Sequence, residues 1–169
     1  MNKITKNLFL LAFFGISLFA SSEKVDFSIS KKYQDLSSEI FKNISSHHYT
    51  REIDKESFND LYIDALLEEL DGNKNLFLSY EIKSFKRKST NYKKNRENFD
   101  IDLAYEILNT YFNRVIEISE YQMKLAKKDS FNLSIDEGVD IFYDDNEYAS
   151  TMLELKERWR KTTKNDFIV

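Results

Sequence analysis

Apolar side chains recur at intervals of three and four residues in several stretches of the chain, the spacing that lines one face of an α-helix. The first stretch carries Tyr33, Leu36, Ile40, Phe41 and Ile44 and predicts a helix ending near His47. The second begins after Asp54, a good N-cap, and sets Phe58, Leu61, Tyr62, Ala65, Leu66 and Leu70 along one side before Asp71-Gly72-Asn73 stops it. Ser79 is expected to cap a third helix through Ile82 and Phe85. The clearest pattern opens near Asp100 or Asp102 and passes through Leu103, Ile107, Leu108, Tyr111, Phe112, Val115, Ile118 and Leu125. From Ser130 to Tyr143 the spacing turns irregular and partly alternating, with Phe131, Leu133 and Ile135 two apart, which reads as extended or loop-like. A last helix bears Met152, Leu155 and Trp159. The expectation is an all-α domain of four to five helices with an extended loop before the last, and with Leu61, Phe112 and Trp159 in its core.

The first residues follow a different pattern. Lys3 and Lys6 precede an apolar run from Leu8 to Phe19, and Ala20, Ser21 and Ser22 follow it, which is the outline of a secretory signal. The run falls well short of the roughly twenty residues of a spanning helix. Small residues place the cut after Ser22, with cleavage after Ala20 as the alternative. The expected division is therefore a signal peptide over residues 1–22 and one helical domain over residues 23–169. Such a protein is expected in the periplasm, without stable membrane insertion once the signal is removed; an uncleaved signal would keep it at the inner membrane. At the other end, Phe167-Ile168-Val169 is apolar and lacks a Gly, Asn or Pro stop, so the chain is expected to lead into more protein.

Composition narrows this picture. No Pro and only 3 Gly disfavour turn-rich β architectures. No Cys excludes disulfides, thiolate metal sites, cysteine nucleophiles and lipid attachment to cysteine, so the fold rests on packing. A net charge of −4 and a pI near 5.3 give no reason to expect nucleic acid as a partner.

Candidate chemistry is sparse. His47 and His48, the only histidines, are adjacent and point apart on a helix, so they do not form a paired metal grip and read as structural. Asp71-Gly72-Asn73-Lys74-Asn75 looks like the start of a calcium loop, but Ile82 stands where a bidentate Glu is needed, which leaves a helix stop and turn. The acidic run from Asp136 to Glu147, with Glu137, Asp140, Asp144 and Asp145, matches no calcium loop and reads as a solvated loop. Lys83, Lys86, Arg87, Lys88, Lys93, Lys94 and Arg96 form a basic stretch, read as a solvated linker; its sharper reading is a surface for an acidic partner or an anionic envelope. Ser28-Ile29-Ser30-Lys31 fits Ser-x-x-Lys, but neither Ser-Asp-Asn nor Lys-Thr-Gly follows. No catalytic, cofactor-binding or metal residue is assigned, and no cofactor is expected.

Three segments nevertheless resemble a known family. Ser46-His47-His48-Tyr49, then Leu66-Leu67-Glu68-Glu69-Leu70-Asp71, then Asn75-Leu76-Phe77-Leu78-Ser79 are similar to the opening of tail-specific, C-terminal-processing proteases. Downstream, Glu157-Arg158-Trp159-Arg160-Lys161 and Lys164-Asn165-Asp166 resemble the tryptophan-centred basic helix that closes the same N-terminal domain. The likeness spans roughly residues 30–169 and departs from the family at Ile141-Phe142-Tyr143, where a Pro beside an aromatic is common. It implies a periplasmic serine endopeptidase that recognises apolar C-terminal tails through a PDZ module and cuts with a Ser-Lys pair. Those parts normally lie beyond the point matching Val169, so none of their residues is carried over. The helical domain would then be a scaffold that helps present substrates or adaptor proteins. The alternative is an autonomous exported adaptor binding a protein or an anionic envelope surface through residues 83–96; a more remote one is an enzyme using carboxylates of the Asp136–Glu147 run.

Overall fold

A computed structural model describes residues 24–47, 55–92, 100–127, 131–132, 134–135, 137–138 and 147–168. The expected signal peptide, His48, Asp54, the basic Lys93, Lys94 and Arg96, most of the acidic run and Ile141-Phe142-Tyr143 lie outside the described residues, as does the side chain of Phe58. Among the described residues the fold is all-α. The helices are α1 (Lys31–His47), α2 (Lys55–Asp71), α3 (Ser79–Tyr92), α4 (Ile101–Lys127) and α5 (Met152–Ile168). One isolated parallel bridge joins Leu78 to Ala149.

Two apolar clusters hold α2, α3, α4 and α5 together. Ile63 and Leu67 of α2, Phe77, Ile82 and Phe85 at and within α3, and Leu103 and Ile107 of α4 form the first, with Tyr62, Leu66, Leu70, Tyr111 and Tyr148 packed around it. Phe77 and Phe85 meet edge to face at 5.9 Å between ring centroids. Leu78, Ala149, Leu155 and Trp159 form the second, with Ile118, Tyr121 and Met152 beside it. The length of α4 lets its first turns serve one cluster and its later turns the other. Burying each such side chain contributes about 1.5–3 kcal/mol, so packing alone can carry a fold without disulfides.

Three helix starts carry identifiable caps. The Asp100 carboxylate accepts the Leu103 N–H at 3.0 Å, which settles the N-cap of α4 in favour of Asp100 over Asp102. Thr151 Oγ1 accepts the Glu154 N–H at 3.2 Å, while Glu154 reaches back to the Ser150 N–H at 2.9 Å. Ser79 does not cap α3. Leu78 holds the cap position instead: its carbonyl accepts the Glu81 and Ile82 N–H groups at 2.9 and 3.1 Å, Glu81 reaches back to the Leu78 N–H at 2.7 Å, and the Ser79 N–H donates to the Ala149 carbonyl at 2.9 Å.

Several expectations are corrected. Of the expected α2 stripe, Tyr62, Leu66 and Leu70 pack against the first cluster, but Leu61 is 63% exposed and Ala65 is exposed, and the deepest positions are Ile63 and Leu67, which the spacing did not single out because apolar residues occur nearly all round the helix. Phe112 is 38% exposed and touches the rings of Phe27 and Tyr111 instead of entering either cluster. On α1, Tyr33, Leu36 and Ile40 are exposed while Ser37 and Phe41 are buried. The basic stretch expected to be a linker is helical through Tyr92, since Lys and Arg are good helix formers and two of its cations find acids on neighbouring helices. Trp159 is buried as expected, at 2% exposure.

Candidate functional site

Two of the regions that carry the family resemblance, the turn from Asp71 to Ser79 and the helix bearing Arg158 and Trp159, lie far apart in sequence and meet in space. At the end of α2, Asp71 turns its carboxylate back over the following turn and accepts N–H groups from Asn75 at 2.7 Å, Leu76 at 2.9 Å and Phe77 at 2.8 Å. The Asp71 carbonyl accepts the Lys74 N–H at 2.9 Å, and Lys74 takes a left-handed φ of 53°. Burial pushes the Asp71 carboxyl up, against the pull of the three N–H donors and of Arg158. The turn thus ends one helix, aims Phe77 and Leu78 into the two clusters, and starts the next.

From the other side, α5 grips the same turn. The Trp159 Nε1–H donates to the Asn75 carbonyl at 2.7 Å. Arg158 donates to the carbonyls of Lys74 at 3.3 Å and Glu147 at 2.8 Å, and pairs with Glu154 at 2.7 Å. The Leu78–Ala149 bridge closes the grip. An indole therefore fills the apolar slot and satisfies a turn carbonyl at once. Tyr148, against this junction, has its hydroxyl pushed up to about 12, first by burial and then by Asp71, Glu68 and Asp64.

Behind the turn, Arg114 lies almost buried on α4. It pairs with Glu81 at 2.6 Å and with Glu117 at 3.5 Å, and it donates toward Met152 Sδ at 3.3 Å. Glu81 is doubly engaged, since its other oxygen reaches back to the Leu78 N–H. Two signals for this pair were present in the sequence: Glu81 stands three residues after Leu78, the acid half of a capping box, and Arg114 is a lone cation among the apolar positions of α4.

The remaining candidates are placed as follows. His47 lies exposed at the end of α1, its Nδ1 within 3.1 Å of the Asn43 carbonyl. The acidic run is not purely solvated where it is described: Glu137 pairs with Arg160 and, at 3.5 Å, with Lys164. Hydrogen bonding to Arg160 holds the Glu137 carboxyl below its ordinary range, and Lys164 adds to the effect. In the basic stretch, Lys86 pairs with Asp64 at 3.1 Å and Lys88 with Glu106, so part of its charge is spent inside the fold. Ser28 is exposed in the segment before α1. Among the described residues no group of three or more His, Cys, Asp or Glu is arranged to hold a metal ion, and no helix is long and apolar enough to cross a membrane.

Chemically, this junction is a fastening device: its carboxylates, guanidinia and indole are consumed by carbonyls, N–H groups and one another. The model of one family, the tail-specific protease N-terminal domain, matches residues 40–169 and so takes in both the turn and the helix that grips it. This chain belongs to that family. No curated protein matches the chain. For a tail-specific protease N-terminal domain, the Leu70-Asp71 turn and Trp159 are thus the two halves of one structural joint, which explains why the resemblance concentrates in segments so far apart.

Proposed function

We propose that this domain is the noncatalytic scaffold of a periplasmic C-terminal-processing serine endopeptidase, which frames a PDZ module and a Ser-Lys peptidase core and helps present proteins with apolar C-termini or their adaptors. The family match over residues 40–169 carries this reading. Two structural observations support it. The polar groups at the motif junction serve the fold. In addition, large apolar side chains face outward, among them Leu153 at 82% exposure, Tyr80, Leu61 and the α1 trio Tyr33, Leu36 and Ile40, as suits a surface that packs against neighbouring domains. The Leu8–Phe19 run with its flanking lysines supports export.

Three measurements test the proposal. Reading the gene past Val169 should find a frame encoding a PDZ domain and a Ser-Lys peptidase; a stop codon there overturns the reading. The purified chain should leave a peptide with an apolar C-terminus intact, and cleavage traced to this polypeptide would contradict a noncatalytic role. Residues 1–30 fused to a phosphatase that is active only after export should yield activity; a silent fusion removes the periplasmic assignment.

A further inference from the structure

Before α1, residues 24–30 run without regular structure, and part of this segment lies along α4. Two asparagines hold it there. The Asn113 side chain accepts the Val25 N–H at 2.9 Å and donates to the Val25 carbonyl at 2.7 Å. Asn109 repeats the arrangement on Phe27, accepting its N–H at 2.7 Å and donating to its carbonyl at 3.0 Å. Each carboxamide thus copies a neighbouring strand, offering one acceptor and one donor to one residue's main chain.

The spacing makes the copy possible. Residues four apart on a helix rise by about 6 Å, and alternate residues of an extended chain advance by about 6.6 Å, so successive rungs stay in register. Asn113 is held further by donating to the Asn109 carbonyl at 2.7 Å. By contrast, the side chains of the bound segment contribute little: Val25 is half-buried, Asp26 is exposed, and Phe27 is exposed apart from an edge contact with Phe112 at 5.2 Å. Main-chain groups carry the attachment. A cleft of about 340 Å³, lined by Lys24, Asn113, Glu117 and Glu120 among others, runs alongside and leaves room on α4 beside the strap.

We propose that Asn109 and Asn113 form a two-rung ladder that binds extended, unfolded polypeptide by its main chain, with residues 25–27 as the resident occupant that another segment displaces. This inference stands on the ladder geometry alone and does not depend on the protease reading. Because recognition runs through N–H and C=O groups, the site tolerates many side chains but rejects residues without an N–H at the rung positions. Resident and incoming chains compete, so the strap lowers the apparent affinity for any other peptide in proportion to the time it is docked.

The test uses the full chain. Val25→Pro with Phe27→Pro removes both strap N–H donors and vacates the ladder without touching α4. A fluorescein-labelled peptide with the sequence of residues 23–30 should then bind this variant at least tenfold more tightly than the parent, by fluorescence anisotropy. The same peptide with its Val and Phe side chains cut back to Ala should keep most of its affinity. Methylating the two rung nitrogens of the peptide should abolish binding, as should adding Asn109→Ala and Asn113→Ala to the protein. Trp159 emission, unchanged in every variant, certifies the fold. Equal binding to parent and variant, equal binding of the N-methylated peptide, or no binding to either chain would each overturn the ladder as a polypeptide site.

Discussion

Removing Trp159 is the most direct test of the joint between α5 and the turn after α2. The side chain is 2% exposed, lies with Leu78, Ala149 and Leu155, faces Tyr121 at 6.2 Å between ring centroids, and donates to the Asn75 carbonyl. Cutting a buried Trp to Ala costs about 3–5 kcal/mol through lost transfer energy and the cavity left behind. The orphaned carbonyl adds about 1 kcal/mol if water does not reach it. Against a typical domain stability of about 5–15 kcal/mol, Trp159→Ala should bring the fold near its threshold. Trp159→Phe separates the two contributions, since it keeps a ring in the slot and removes the N–H; it should lose about 1–2 kcal/mol. Urea denaturation followed by far-UV circular dichroism measures both variants. In the parent, Trp159 is the only tryptophan, so its emission gives a second probe of the same transition. A change within ~0.5 kcal/mol for Trp159→Ala refutes the reasoning, because that is the range of a surface substitution.

Other perturbations should divide by environment. Glu81→Ala removes the closer of the two carboxylates paired with nearly buried Arg114, leaving only Glu117 at 3.5 Å, and also removes the side chain that reaches back to the α3 cap, so it should cost about 3 kcal/mol, whereas Glu106→Ala, which breaks only the exposed pair with Lys88, should stay within about 1 kcal/mol; equal effects in denaturant titrations would contradict the burial of the first pair. Arg160 holds both Glu137 and Glu157 below the ordinary carboxylate range. Their stabilisation is therefore present above the unfolded-state value and is lost as pH falls through the lower folded-state one, while Asp71, pushed up by burial, acts in the opposite sense. Glu137→Gln should accordingly flatten the acid side of the stability profile measured by thermal melts, and an unchanged slope would show that the pair with Arg160 does not form in solution. Leu61→Ala and Leu153→Ala, at exposed positions, should each shift stability by less than ~0.5 kcal/mol in the same denaturation assay; a loss of 2 kcal/mol or more would place them in a core.

Helix positions were largely legible because the spacing of apolar residues reports local geometry. The boundaries at Asp71 and at Asp100 coincide with residues whose carboxylates stop or start a helix without outside help. What spacing did not report was which side faces inward. On α2 apolar residues occur almost all the way round, so the choice of Ile63 and Leu67 over Leu61 is made by α3 and α4, which the local pattern does not contain. The cap of α3 was placed one residue late: the first helical N–H groups, those of Glu81 and Ile82, donate to the Leu78 carbonyl, so Ser79 is already the first helical residue, and the bridge that fixes Leu78 there comes from Ala149, a residue from a distant part of the chain. The joint itself was visible only through family resemblance. Nothing local in Arg158-Trp159 announces that its partners are the carbonyls of Lys74 and Asn75. The asparagine ladder escaped entirely, since Asn109 and Asn113 look like ordinary polar positions until an extended segment is laid across them.

The contact between Leu78 and Ala149 has a further consequence. Everything between them, including α3 and α4, departs from one point and returns to the same point, like a ring closed by a buckle. The entropy of closing such a ring grows only with the logarithm of its circumference, about 0.6 kcal/mol for each doubling. Insertions along the path back to Ala149 are therefore thermodynamically cheap, whereas a single-residue slip at the buckle would misplace the indole and both carbonyls that depend on it. The architecture can absorb variation in contour length while holding its fastening point to the accuracy of a hydrogen bond.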